Sequence, residues 1–198
     1  MGTGKSCTLT LKIAKSGNYP AKTSTTTIIL ALYGVGDTGP GDGKIIYVDM
    51  TRDVGSQYFE AACAGWQNNC DGTTAYPTAD WGCKGESIIF ADATAIGPGD
   101  GNTKWIVDGC SDYAGFAADR ATDYSNSGES DWFLPSKDEL KKLYINRASV
   151  GGFPLVGVYW SSSEYDYEAA WYQSFGIYGE QYPGYKTNTS YVRPVRSF

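Results

Sequence analysis

The chain has 198 residues, 41% of them apolar and 19% charged, which excludes a disordered polymer and fits one domain with an appended segment. The net charge of −6 comes without any cluster of Lys or Arg, so a nucleic-acid partner is not expected. No apolar run is long enough to cross a bilayer, so no direct membrane insertion is expected, and the chain has no histidine, which removes the usual neutral-pH acid and base.

Cys7 to Ile13 alternates at period two and Thr25 to Leu30 is strongly β-branched, so residues 1–33 read as an N-terminal β segment turning at Gly17-Asn18. The ending of Gly2-Thr3-Gly4-Lys5-Ser6 matches a phosphate-binding loop only by coincidence, because the first glycine and the preceding strand are missing. The Met1-Gly2-Thr3-Gly4 start leaves room for a native leader or anchoring domain upstream, with a cell surface or a virion as plausible locations. Gly34 to Gly43 breaks regular structure, so a main domain is expected over 34–198, opening with a short buried strand at Ile45-Ile46-Tyr47-Val48.

Residues 51–101 show no sustained period and read as long packed loops. Cys63, Cys70, Cys83 and Cys110 bracket this stretch, and one or two disulfides or buried free thiols both fit them. A four-thiolate zinc site does not, since there is no CxxC pair. Gly39-Pro40-Gly41-Asp42-Gly43 recurs as Gly97-Pro98-Gly99-Asp100-Gly101. The repeat reads as two turns, because its acidic spacing does not match a twelve-residue calcium loop; no metal and no cofactor are expected.

Apolar residues from Trp105 to Ala117 recur at helical spacing and predict one helix from Asn102 to about Tyr124, weakened by Gly109 and Gly115. Ser136 and Glu139 form a capping-box pair that predicts a second helix to about Arg147. Three strands are then expected, at Val156 to Ser162, Ala169 to Phe175 and Val192 to Phe198.

The Ser161-Ser162-Ser163-Glu164 run looks reactive, yet without a histidine its hydroxyls are read as satisfying buried backbone groups. Glu164, Asp166, Glu168 and Glu180 are read as solvated and not as a glycosidase pair. Asn188-Thr189-Ser190 is a glycosylation sequon only in a source that modifies secreted proteins this way. Residues 159–198 hold eight of the 16 tyrosines, mixed with Ser, Gly, Asn and Thr, a composition suited to binding; a tyrosine-rich β core is the competing reading.

Tyr159-Trp160-Ser161-Ser162-Ser163-Glu164-Tyr165, Ala170-Trp171, Gln173, Phe175, Gly179, Gln181, Lys186 and the ending Val192-Arg193-Pro194-Val195-Arg196-Ser197-Phe198 resemble the C-terminus of variable proteins of diversity-generating retroelements. Gly36-Asp37-Thr38-Gly39-Pro40 and Asp131-Trp132-Phe133-Leu134-Pro135-Ser136 resemble the wider group of microbial C-type-lectin-like domains. The resemblance implies an α+β, C-type-lectin-like fold of the formylglycine-generating-enzyme type, with two helices and twisted, mainly antiparallel sheets. It also implies a variable region at about 159–198, a ligand that is an unknown protein or cell-surface molecule, and no enzymatic activity, since the oxidases of this fold use a C-terminal cysteine pair and no cysteine follows Cys110.

In that family, adenines of selected asparagine codons are mutated, and such codons reach Tyr, Ser, Asp, Gly, Thr, Ile, Ala or Pro but not Glu, Gln, Lys, Met or Trp. The reachable residues here are Asp166, Tyr167, Ala169, Tyr172, Ser174, Gly176, Ile177, Tyr178, Tyr182, Pro183, Gly184, Tyr185 and Ser190, and these are the expected ligand contacts. Glu168 and Glu180 fall outside the reachable set. The alternative function is a fixed-specificity adhesin or carbohydrate-binding domain of the same fold.

Overall fold

The computed structural model describes residues 5–13 and 22–30 as backbone and residues 32–66, 76–111, 114–154 and 156–198 in full. Strands β1 (Lys5–Ile13) and β2 (Lys22–Leu30) form a two-stranded antiparallel sheet in continuous register, Lys5 opposite Leu30 and Ile13 opposite Lys22. The expected turn at Gly17-Asn18 and Cys70 lie outside the described residues.

Strands β3 (Lys44–Val48), β4 (Tyr58–Ala61) and β10 (Val195–Ser197) make a three-stranded antiparallel sheet with β4 in the centre. A five-stranded sheet runs in the order β5 (Thr78–Ala79), β9 (Ser190–Tyr191), β6 (Val158–Glu164), β7 (Ala169–Ser174) and β8 (Gln181–Tyr185). The helices are α1 (Gly99–Gly109), α2 (Ala117–Thr122), α3 (Lys137–Ile145) and α4 (Arg147–Val150). One core gathers Trp81, Ile106, Phe116, Leu134 and Trp160, a second gathers Phe59, Leu140, Leu143, Tyr159 and Phe175, and a small third packs Ala62, Tyr124 and Trp132.

Three expectations are corrected. The single helix of 102–124 is two: α1 begins at Gly99 and stops at Gly109, and α2 starts only after Gly115 takes φ +83°, a left-handed turn that no continuing helix accepts. Cys110, at the break, is disulfide-bonded to Cys83, so the chain leaves α1 tied to the loop beneath it. The strand expected over 192–198 shrinks to Val195–Ser197, β10 of the small sheet, beginning just after Pro194, while the residues just before the expected start, Ser190–Tyr191, form β9 of the large sheet. The third is β8, which sequence patterning passes over.

The capping box holds. Glu139 N–H donates to Ser136 Oγ at 3.3 Å, and Ser136 N–H donates to Glu139 Oε2 at 2.8 Å. Glu139 does more than cap α3: Gly97 N–H and Gly99 N–H donate to its Oε1 at 2.7 and 3.4 Å. Glu60 is held the same way by Gly41 N–H at 3.1 Å and Gly43 N–H at 2.7 Å. The two Gly-Pro-Gly-Asp-Gly segments are therefore cradles for buried carboxylates, and a Cβ on Gly39 would come within 2.5 Å of the Glu60 carboxyl carbon.

Candidate functional site

β8 forms one edge of the five-stranded sheet, and its sequence Gln181-Tyr182-Pro183-Gly184-Tyr185 explains why it is an edge. Ser174 N–H donates to Glu180 O and Lys186 N–H donates to Glu168 O, both at 2.9 Å, so even-numbered residues of this segment face the β7 ladder. Pro183 opposes Trp171 at the intervening position, where its missing N–H would have pointed to solvent.

Pleating divides the side chains. Trp160 opposes Tyr172 and Tyr172 opposes Tyr182, so Tyr172, Ser174, Tyr182 and Gly184 share the face of core residue Trp160. The Tyr172 ring lies 5.9 Å from Trp160 and 6.1 Å from Tyr182. Trp171, Pro183 and Tyr185 share the opposite face with α3, where the Lys137 ammonium sits 3.6 Å from the Trp171 ring centre. Tyr165 meets Trp171 edge-on at 5.1 Å.

Seven of the thirteen expected contact residues are exposed: Asp166, Tyr167, Ile177, Tyr178, Tyr182, Pro183 and Tyr185. Tyr172, Ser174 and Gly176 are half-buried. Ala169, Gly184 and Ser190 are buried. Ser190 lies on β9, three strand positions from β8, roughly 14 Å across the sheet at ~4.8 Å per strand, and is not brought to the edge. Tyr165, 54% exposed, lies beside the set although sequence grouped it with the motif residues before it; its place just after the serine-glutamate run was the available signal.

Three of the residues that adenine mutagenesis cannot produce, Gln173, Gln181 and Lys186, hold backbone. Gln173, fully buried, donates from Nε2 to Ser174 O and Glu180 O. Gln181 donates to Lys137 O at 2.7 Å. Lys186 is fully buried, donates to Glu86 O at 2.7 Å, contacts Glu164 Oε1 at 2.5 Å and lies over the Trp81 ring. Glu164 also accepts from Ile88 N–H, which leaves it buried and paired instead of solvated as expected, and so no free acid or base.

The turn between β7 and β8 is anchored without using the displayed side chains. Tyr144 Oη donates to Gly176 O and Ile177 O, and Lys141 Nζ donates to Gly179 O at 2.9 Å. Gly179 has φ +58°, and a Cβ there would overlap the Tyr144 ring. Ile177 and Tyr178, 82% and 79% exposed, project from this clamped turn. At the other end, Asp166 Oδ1 accepts from Glu168 N–H and Ala169 N–H at 2.8 Å, so that carboxylate shapes the β6–β7 turn. The serine run is likewise occupied internally: Ser161 Oγ donates to Trp171 O and Ser163 Oγ to Ala93 O, each at 2.7 Å.

This is an α+β, C-type-lectin-like domain presenting an aromatic strand edge and two turns. Residues 63–196 match the Lcl C-terminal domain family, and the chain belongs to it; this is the C-type-lectin-like, ligand-binding domain of diversity-generating-retroelement variable proteins, and not a catalytic family. No curated protein matches the chain. Among solved structures, a fimbrial protein from Bacteroides ovatus is similar at 18% identity and a TM-score of 0.42, over 63% of this chain and 34% of that one. The chain thus spans about a third of that protein's length.

Proposed function

We propose that the domain spans 34–198 and is a receptor-type variable module that binds a protein or cell-surface ligand through the β8 edge and its two flanking turns. Its start at Gly34 is supported by β3, which joins through β4 to β10 at the other end of the domain. The observation that carries the reading is a segregation by burial. Of the thirteen reachable residues all but Ala169, Gly184 and Ser190 are exposed or half-buried, while Gln173 and Lys186, which asparagine codons cannot produce, are fully buried and hold backbone carbonyls; Glu180 is the exposed exception. Ligand contacts can then change without disturbing the frame.

Tyr167, Tyr178, Tyr182 and Tyr185 supply large rigid contact area, and Asp166 and Ser174 supply polar contacts at the two ends of β7. A display library randomised at 166, 167, 177, 178, 182, 183 and 185 tests this. Most members should remain protease-resistant and should yield binders to an unrelated protein target, whereas a matched library at 171, 173, 175, 181 and 186 should mostly unfold. Equal loss of folding in both libraries would refute the reading.

A further inference from the structure

A second exposed aromatic group lies outside the variable segment. Ile89 and Phe90 are 71% and 65% exposed, and Trp105 on α1 is 46% exposed. The Phe90 and Trp105 rings stand 5.2 Å apart at 51°, forming an open wedge. The wedge is held firmly from below. Ile88, between the exposed residues and the core, is buried, gives its N–H to Glu164 and packs where Gly109 leaves room, since a Cβ on Gly109 would lie 2.8 Å from Ile88 Cδ1. Phe90 itself adopts φ +71°, a conformation rare for a bulky side chain.

Beside the wedge is an open depression of about 560 Å³ lined by Glu86, Ile88, Ile89, Trp105 and Asp108. Asp108 follows Trp105 by three residues on α1 and so shares its face. Among the described residues neither the Asp108 nor the Glu86 carboxylate has a hydrogen-bond or ion-pair partner, and the nearby cation Lys104 is engaged with Asp100 at 2.7 Å. Aromatic faces and unpaired carboxylates attract the same kind of group, a cation with an apolar stem. A second copy of this chain would instead bring like charges together across the contact.

We propose that this depression docks an arginine or lysine side chain of a partner protein. The site borders the variable face, because Gly85 N–H donates to Tyr167 O and Glu164 N–H donates to Ala91 O. It provides a fixed contact beside a changeable one, and it does not depend on diversification.

The test is titration of the isotope-labelled full chain with acetyl-Ala-Arg-Ala-Arg-amide, following the Trp105 indole N–H resonance, with the glutamine analogue of the peptide as control. A saturable shift is expected with the arginine peptide alone, weakened by added salt and about tenfold or more by Asp108→Asn or Trp105→Phe combined with Phe90→Gly, read for the double variant from the neighbouring Ile89 amide. Tyr182→Ala should leave this affinity unchanged, which separates the site from the proposed variable face. No saturable shift at millimolar peptide, an equal response to the glutamine analogue, or an equal response to a neutral oligosaccharide would overturn the proposal.

Discussion

Gly184 and Tyr172 illustrate how side chains on this edge constrain one another. A Cβ on Gly184 would lie 2.5 Å from the Tyr172 ring and 3.3 Å from Trp160. Gly184→Ala should therefore cost about 1–3 kcal/mol in urea denaturation, and the same change in a Tyr172→Ala background should cost much less. Additive losses would show that the ring does not occupy that space. Tyr172→Ala alone should lower stability by roughly 1–2 kcal/mol because the ring packs on Trp160, whereas Tyr182→Ala, at an exposed position, should fall within about 0.5 kcal/mol of wild type. At buried Glu139, desolvation outweighs the three backbone donors and raises the carboxyl above its ordinary value. A carboxyl raised in the folded state stabilises fully below its unfolded pKa and loses that contribution as pH rises through the folded one. The melting-temperature advantage of wild type over Glu139→Gln should therefore shrink as pH rises from below the ordinary glutamate value toward neutrality; an advantage that grows with pH would contradict it.

At the scale of elements, what the sequence makes legible is what local chemistry writes. The Ser136 and Glu139 capping box marks the start of α3, and the alternation after Val156 marks β6 and β7, displaced by two residues at the start of β6. β8 escapes because Pro183 and Gly184 argue against a strand by composition, and only the alternation of an edge ladder reconciles them. The Gly-Pro-Gly-Asp-Gly cradles escape because their carboxylates, Glu60 and Glu139, lie 17 to 42 residues away in sequence. Residue reachability at selected codons identifies side chains that could vary but says nothing of burial, so Ala169, Gly184 and Ser190 entered the expected contact set alongside the exposed residues. Lys186 is the strut joining β8 to the loop before α1, and Lys186→Met should cost about 3–5 kcal/mol by leaving Glu164 buried with no cation. Pairing it with Glu164→Gln should recover part of that loss; an undiminished melting temperature for the single variant would mean that the pair supports nothing.

Across the whole molecule, the buried clusters and the three-stranded sheet that closes on β10 carry stability, while the proposal gives display to the far edge of the five-stranded sheet. Exposed phenols end one edge, and the α3 side chains grip only the backbone of the turn they project from. Such a division permits many ligand specificities on one frame, which is the central claim. Sequencing the DNA that flanks the gene tests it most directly, by looking for a near-copy of codons 159–198 beside a reverse transcriptase. The expected result is a copy that differs only at adenines, with asparagine codons opposite the exposed positions Asp166, Tyr167, Ile177, Tyr178, Tyr182, Pro183 and Tyr185. No copy, or a copy that differs at the codons of Gln173 and Lys186, would contradict it and leave a binding domain of fixed specificity.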